Sequence, residues 1–170
     1  MLNKMLKLAD TIAIGGHIRP DGDCIGSCMG LGRYIKENYS DKTVEVYLEE
    51  IPEKFRFIKE TENVKHEIPD GKSYDLFICL DCGDTERLGF SRPLCENAKH
   101  TLCIDHHVSN TGFAEENHIV PDASSTSELV YYLLDKELVS REAAEALYVG
   151  IAHDTGVFQY SCTSPSTMRA

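Results

Sequence analysis

Asp75 to Leu80 (DLFICL) reads as a central strand, apolar without a break after Asp75 and followed at once by Asp81. Successive side chains of a strand point to opposite faces. A strand apolar on both faces therefore needs cover on both, and belongs in the middle of a sheet clad by helices, as in parallel α/β proteins. Thr11 to Gly15 (TIAIG) is a second buried strand, running into a loop at Gly15-Gly16. Val44 to Leu48, Thr101 to Ile104 and the short His118 to Val120 complete the predicted strands.

Helical patterns fall between them. MLNKMLKLAD reads as a short amphipathic helix before the first strand. From Asp21 to Asn38, Ile25, Cys28 or Met29, Gly32 and Ile35 share one face, and Asp21 or Asp23 can cap the start. Gly26, Gly30 and Gly32 cost helix propensity, which points to close packing. Pro52 to Lys59 is a short helix with Phe55 and Ile58 inward, and Ser91 to Ala98 a weak one. Ser125 and Glu128 have capping-box spacing, opening a helix through Leu134. Ser140 caps the next, with Ala143, Leu147 and Ile151 on one side, and Gly156 to Ala170 holds turns and a helix start. The expected fold class is α/β, a mostly parallel β-sheet flanked by helices on both faces.

The 170 residues make one ordinary domain without repeats or low-complexity tracts. A net charge of −11 argues against gripping long duplex nucleic acid by its phosphates, although bound divalent ions would reverse the local potential. No apolar run is long enough to span a bilayer. Seven scattered cysteines with no export signal imply reduced thiols and a cytoplasmic location.

Four islands carry the chemistry: His17-x-x-x-Asp21-x-Asp23, Asp81, Asp105-His106-His107 and His153-Asp154. Three lie at predicted strand ends, where parallel sheets bind ligands. His153-Asp154 closes a helix and must fold back over the sheet edge to join them. Carboxylate and imidazole donors suit Mn²⁺, Mg²⁺, Fe²⁺ or Zn²⁺, and two such ions a few ångströms apart hydrolyse phosphate esters. Ordinary readings exist for each: aspartates cap helices, Asp81 can be a turn residue, and paired histidines occur on surfaces. Yet a cap needs neither a second aspartate nor a histidine four residues earlier, and an acidic Asp154 opposes the helix dipole. On an extended segment His106 and His107 point opposite ways, so one can ligate a metal while the other faces substrate. Cys79-x-x-Cys82 lacks a second pair and is discounted as a zinc site. Cys24 and Cys28 read as core, and Tyr131, Tyr132, Tyr148 and Phe158 as packing residues. Phe158 or Tyr160 could also stack on a base. His66, His100 and His118 have no companions. Arg19 or Arg87 could touch phosphate, although a solvated arginine is the commoner case.

The segments GHIRPDGDCIGS (16–27), LDCGD (80–84), IDHHVSN (104–110) and GIAHDTGVFQYS (150–161) together resemble the DHH phosphoesterase family. Within it, PDASSTSELVYYLL (121–134) is similar to the oligoribonuclease/pAp phosphatase branch. The resemblance implies two Mn²⁺ ions, with Mg²⁺ or Co²⁺ as alternatives. One would take His17, Asp21 and Asp81, the other Asp23, Asp81, His106 and Asp154, with Asp81 bridging. It implies that His107 faces the scissile phosphate, that Asp105 orients a histidine, and that a metal-activated hydroxide attacks phosphorus. The implied substrates are short RNA oligonucleotides, cut from an end, and 3′-phosphoadenosine 5′-phosphate (pAp). Cyclic dinucleotides or their linear products, pyrophosphate, and a metal- and nucleotide-binding module without turnover are the alternatives. Residues 1–160 would form the catalytic domain and 161–170 the start of a linker to a smaller substrate-binding (DHHA1) domain, which these residues do not contain. Homodimerisation is left open.

Overall fold

The computed structural model describes all residues, Met1–Ala170. Five strands, β1 (Thr11–Gly15), β2 (Thr43–Tyr47), β3 (Leu76–Leu80), β4 (His100–Asp105) and β5 (Glu116–Ile119), form one sheet in the order β2-β1-β3-β4-β5. Every pairing is parallel, so the expected mostly parallel sheet is wholly so. The helices are α1 (Leu2–Leu6), α2 (Gly22–Asn38), α3 (Arg92–Asn97), α4 (Thr126–Leu133) and α5 (Arg141–Asp154). None is long and apolar enough to cross a membrane.

Strand alternation divides the core in two. Ile12, Ile14, Leu76, Ile78, Leu80, Leu102 and Ile104 face the larger cluster, which α1, α2, α4 and α5 close with Leu6, Ile25, Ile35, Val130 and Leu147. Ala13, Phe77, Cys79 and Cys103 face the smaller one, with Tyr74, Leu88, Leu94 and Cys95. Full burial of Phe77 contributes roughly 1.5–3 kcal/mol relative to leaving it exposed.

The second long helix must lie tightly on the fifth. A Cβ at Gly26 would stand 2.5 Å from the Ala146 carbonyl oxygen, and one at Gly30 2.6 Å from the Leu147 side chain. This is the close approach that the glycines of the sequence foretold, and it aligns the end of α5 with the start of α2.

Several local expectations change. Pro52 to Lys59 forms only a 3₁₀ turn at Glu53–Phe55, although Phe55 and Ile58 are buried as expected. The weak helix is Arg92–Asn97, preceded by a 3₁₀ run, Glu86–Ser91, broken at Gly89 (φ 55°). The capping box is half formed. Ser125 Oγ accepts from the Glu128 amide (3.0 Å), but the Glu128 carboxylate accepts from Ser124 N (3.0 Å) and Thr167 Oγ1 (3.0 Å) instead of the Ser125 amide. Glu128 thereby ties the C-terminal residues onto α4. Tyr132 and Tyr148, expected in packing roles, are 41% and 59% exposed. His100 has a companion after all, Glu115 at 2.8 Å. All seven cysteines are free.

Candidate metal centre

The chain leaves β1 for β2 on one side, then returns to place β3 on the other. Between β1 and β3 the winding therefore reverses, and a crevice opens beyond their carboxyl ends, where parallel sheets take ligands. His17 follows β1, Asp81 follows β3, and Asp105-His106-His107 ends β4.

At the first of these ends, Gly16 lets the chain hug α2, since a Cβ there would meet Cys24 Sγ at 2.3 Å. His17 is 5% exposed, and its Nδ1 donates to the Ile18 carbonyl (2.8 Å), which aims Nε2 into the crevice. That nitrogen lies 3.4 Å from Asp81 Oδ2 and 3.7 Å from Asp21 Oδ1. Asp21, not Asp23, is the N-cap of α2, its Oδ1 accepting from the amides of Asp23 (3.0 Å) and Cys24 (3.2 Å). Asp23 is fully buried and braces α4, its carboxylate accepting from Thr126 N (2.6 Å) and Ser127 N (2.8 Å).

Asp81 sits at the centre, 2% exposed, with a left-handed backbone (φ 55°). Strain of this kind gathers at functional sites. Its Oδ2 faces His17, while Oδ1 faces His106 Nε2 (3.6 Å), His107 Nδ1 (3.7 Å) and Thr126 Oγ1 (3.2 Å). His106 Nε2 also lies 3.3 Å from Asp154 Oδ2 and 4.0 Å from Asp23 Oδ2. Asp154 arrives at the end of α5 by the tight packing of α5 along α2, not by a path over the sheet edge.

The two neighbouring histidines do not point opposite ways. Their ring centroids are 5.0 Å apart and both rings turn toward Asp81, because the extended strand ends at Asp105 and alternation ends with it. His107 Nδ1 pairs with Asp105 Oδ1 (2.7 Å), leaving Nε2 for the open side. Asp105 is fully buried, and its other oxygen accepts from Asn110 Nδ2 (2.7 Å). Asn110 was not singled out in the sequence, and neither were Thr126 and Ser127. Asn110 closes the resembling segment 104–110, and Thr126 and Ser127 lie within 121–134, but neither segment tells which carboxylate these groups would meet.

Charge explains the proton affinities. Burial opposes the charge on His17 and His106, but Asp21 and Asp81 around the first, and Asp154 and Asp81 around the second, outweigh it and raise them to about 10 and about 11. Burial likewise works against the Asp81 carboxylate, yet His106 and His17 hold it well below the usual range. Asp23 moves the other way, pushed far up by burial and by the nearby charges of Asp81 and Asp154. Pairing with Asp105, against its own burial, raises His107.

A buried carboxylate crowded by two others is the environment that a divalent cation relieves. The donors fit one, since Asp23, His106 and Asp154 each offer an atom within 4.8 Å of the others', and so do Asp81, His106 and His107. Ser127 Oγ, buried in the same region, has no hydrogen-bond partner. His17 and Asp81 also share such a group with Cys24, which the sequence marked only as core. Of the two arginines, the Arg19 amide donates to Glu49 Oε2 (2.6 Å) and the Arg87 amide to Asp84 Oδ1 (2.9 Å).

Fold and site together define a parallel α/β domain with a carboxylate–imidazole pocket at the switch point of its sheet. The chain belongs to the DHH family of phosphoesterases: the profile "DHH family, N-terminal domain" matches residues 11–151. The match stops just short of Asp154, so that residue's place in the pocket rests on geometry. Among named relatives, the probable bifunctional oligoribonuclease and PAP phosphatase NrnA of Streptococcus mutans is 32% identical over 164 residues, 95% of this chain and 51% of the relative. The Bacillus subtilis protein named bifunctional oligoribonuclease and PAP phosphatase NrnA is 32% identical over 174 residues, 99% of this chain and 53% of the relative. A Listeria monocytogenes cyclic-di-AMP phosphodiesterase, PdeA, is 27% identical over 92% of this chain and 26% of its own length. An exopolyphosphatase-related protein of Bacteroides fragilis superposes with a TM-score of 0.87 at 26% identity, covering 99% of this chain and 53% of the other. The chain thus spans about half the length of the relatives bearing the oligoribonuclease name.

Proposed function

We propose that this domain is the catalytic half of a divalent-metal-dependent phosphoesterase that trims short RNA oligonucleotides from an end and dephosphorylates pAp. The observation that carries the reading is the position of Asp81. Its two oxygens look toward different histidines, His17 on one side and His106 on the other, so one carboxylate can serve two neighbouring cations. On this reading His17, Asp21 and Asp81 hold one Mn²⁺, and Asp23, Asp81, His106 and Asp154 the other. A pair of such ions supplies an activated water and neutralises charge on a phosphate.

The remaining work belongs to the chain. Asp105 and Asn110 lock the tautomer and orientation of His107, whose free Nε2 then donates to a non-bridging phosphate oxygen as charge builds there. Asp23, with Thr126 and Ser127 whose amides donate to it, is fully buried, so the pocket is closed on that side. The relatives' names support short RNA and pAp as substrates. Further substrate contacts would come from the part of the relatives that this chain does not span.

Incubation with Mn²⁺ and either a short oligoribonucleotide or pAp is expected to release mononucleotide or phosphate, and Asp81→Ala to release neither. The linear dinucleotide pApA belongs in the same assay because of the Listeria relative. Turnover of pApA alone would assign the domain to cyclic-dinucleotide metabolism. Tight Mn²⁺ binding with no turnover of any of the three would leave a binding module in place of an enzyme.

A further inference from the structure

His153 is not used by the paired centre, and although 35% of its side chain is exposed, its ring is closely packed. Its ring sits on Gly22, where a Cβ would stand 2.5 Å from His153 Cβ and Cγ, and an edge-to-face contact with Phe55 (centroids 5.6 Å apart) closes the other side. A histidine in the last turn of a helix suits the dipole by its charge alone. That role demands neither a glycine beneath the ring nor carboxylates ahead of it.

Two carboxylates do lie ahead of it. One donor atom each from Asp21, His153 and Asp154 falls within 4.8 Å of the others. Asp154 divides its oxygens, Oδ2 lying 3.3 Å from His106 and Oδ1 3.5 Å from His153 Nδ1. Asp21 is divided in the same way. Its Oδ1 is taken by the cap of α2 and faces His17, while its Oδ2 accepts no hydrogen bond. Each aspartate therefore has one oxygen for the paired centre and one in reserve, and the imidazole stands beside both. One nitrogen and two carboxylate oxygens, with open coordination positions for water, suit Mn²⁺, Co²⁺ or Zn²⁺.

We propose that Asp21, His153 and Asp154 form a third, outer cation site at the mouth of the paired centre. The inference rests on the proposed function, because both aspartates are shared with it. Four aspartates in the cluster, Asp21, Asp23, Asp81 and Asp154, balance two divalent ions, so a third ion binds more weakly on its own. An anionic phosphate entering the mouth supplies both the missing charge and further oxygen ligands. The outer ion accordingly binds together with substrate and clamps its phosphate.

The test is titration calorimetry with Mn²⁺, on the protein as it stands and on His153→Leu, which keeps the bulk between Gly22 and Phe55 but removes both nitrogens. Metal-free melting of the variant confirms that it folds. The expected result is two tighter ions and one weaker ion per wild-type chain, the weaker alone lost in His153→Leu. Added inorganic phosphate should tighten the weak ion at least tenfold in the wild type only. Identical isotherms for the two proteins, each with two ions, would overturn the outer site and leave the paired centre standing. Fewer than two tight ions in the wild type would instead overturn the paired centre.

Discussion

Asp81 carries the most at the residue scale. Replacing it with alanine removes a donor from both proposed ions, and turnover is expected to fall to background with Mn²⁺ affinity lost; near-normal turnover by Asp81→Ala would refute the bridging role. Asp105 acts differently, through His107. An asparagine keeps its shape but can present an N–H to His107 Nδ1, favouring the wrong tautomer. Asp105→Asn is expected to lower kcat by about 10–100-fold, the usual cost of losing a supporting partner, with Mn²⁺ affinity retained. Loss of metal binding in that variant would make Asp105 a direct ligand. Proton affinities give a further expectation. In the metal-free protein His17 and His106 are raised to about 10 and 11 from an ordinary value of 6.5, so the stability they contribute is full below pH 6.5 and lost as pH climbs through those values. A cation must displace these protons, so metal affinity has the opposite sign and rises with pH. Mn²⁺ titrations at pH 7 in two buffers of different ionisation enthalpy should show release of more than one proton per chain; equal heats in both would contradict this.

The contact of α2 with α5 is what brings Asp154 to the centre, and at the scale of elements this is the part that single substitutions can test. Gly26→Ala gains up to about 1 kcal/mol of helix propensity. It also forces a methyl to within 2.5 Å of the Ala146 carbonyl, a backbone group that cannot step aside. Overpacking costs typically about 1–3 kcal/mol, so the variant is expected to melt lower and to bind Mn²⁺ more weakly. A higher melting temperature would show that the helices are free to separate. Much of this was legible beforehand. The apolar run of β3, the glycines of α2 and the caps at Asp21, Ser125 and Ser140 are local patterns, and the structure contains them. What was not legible depends on partners distant in the chain: the Asp23 carboxylate held by amides of α4, Glu128 turned to Thr167, and both histidine rings turned to one side once β4 ends. The residues that extend the site, Asn110 and His153, were visible as letters, but their partners were not.

For the whole molecule, the pocket is a place where stability was set aside. Several acidic side chains share a buried space with too few cations, and the fold holds them there by the sheet, by α4 and by α5. A cation that binds only the folded state adds about 2.7 kcal/mol when present at a hundred times its dissociation constant. For a chain of this size that is about 5–10 °C in melting temperature. Mn²⁺ is expected to produce at least this rise, and its removal by a chelator to reverse it. An unchanged transition would mean that the pocket does not take the ion. The relatives bearing the oligoribonuclease name are about twice as long as the span matched here.

The central claim is that four separated stretches of sequence form one centre for two cations sharing Asp81. Anomalous diffraction from crystals grown with Mn²⁺ addresses it directly. Two strong peaks a few ångströms apart are expected, one on the His17 side of Asp81 and the other on the His106 side. A single peak, or peaks away from Asp81, would contradict the account.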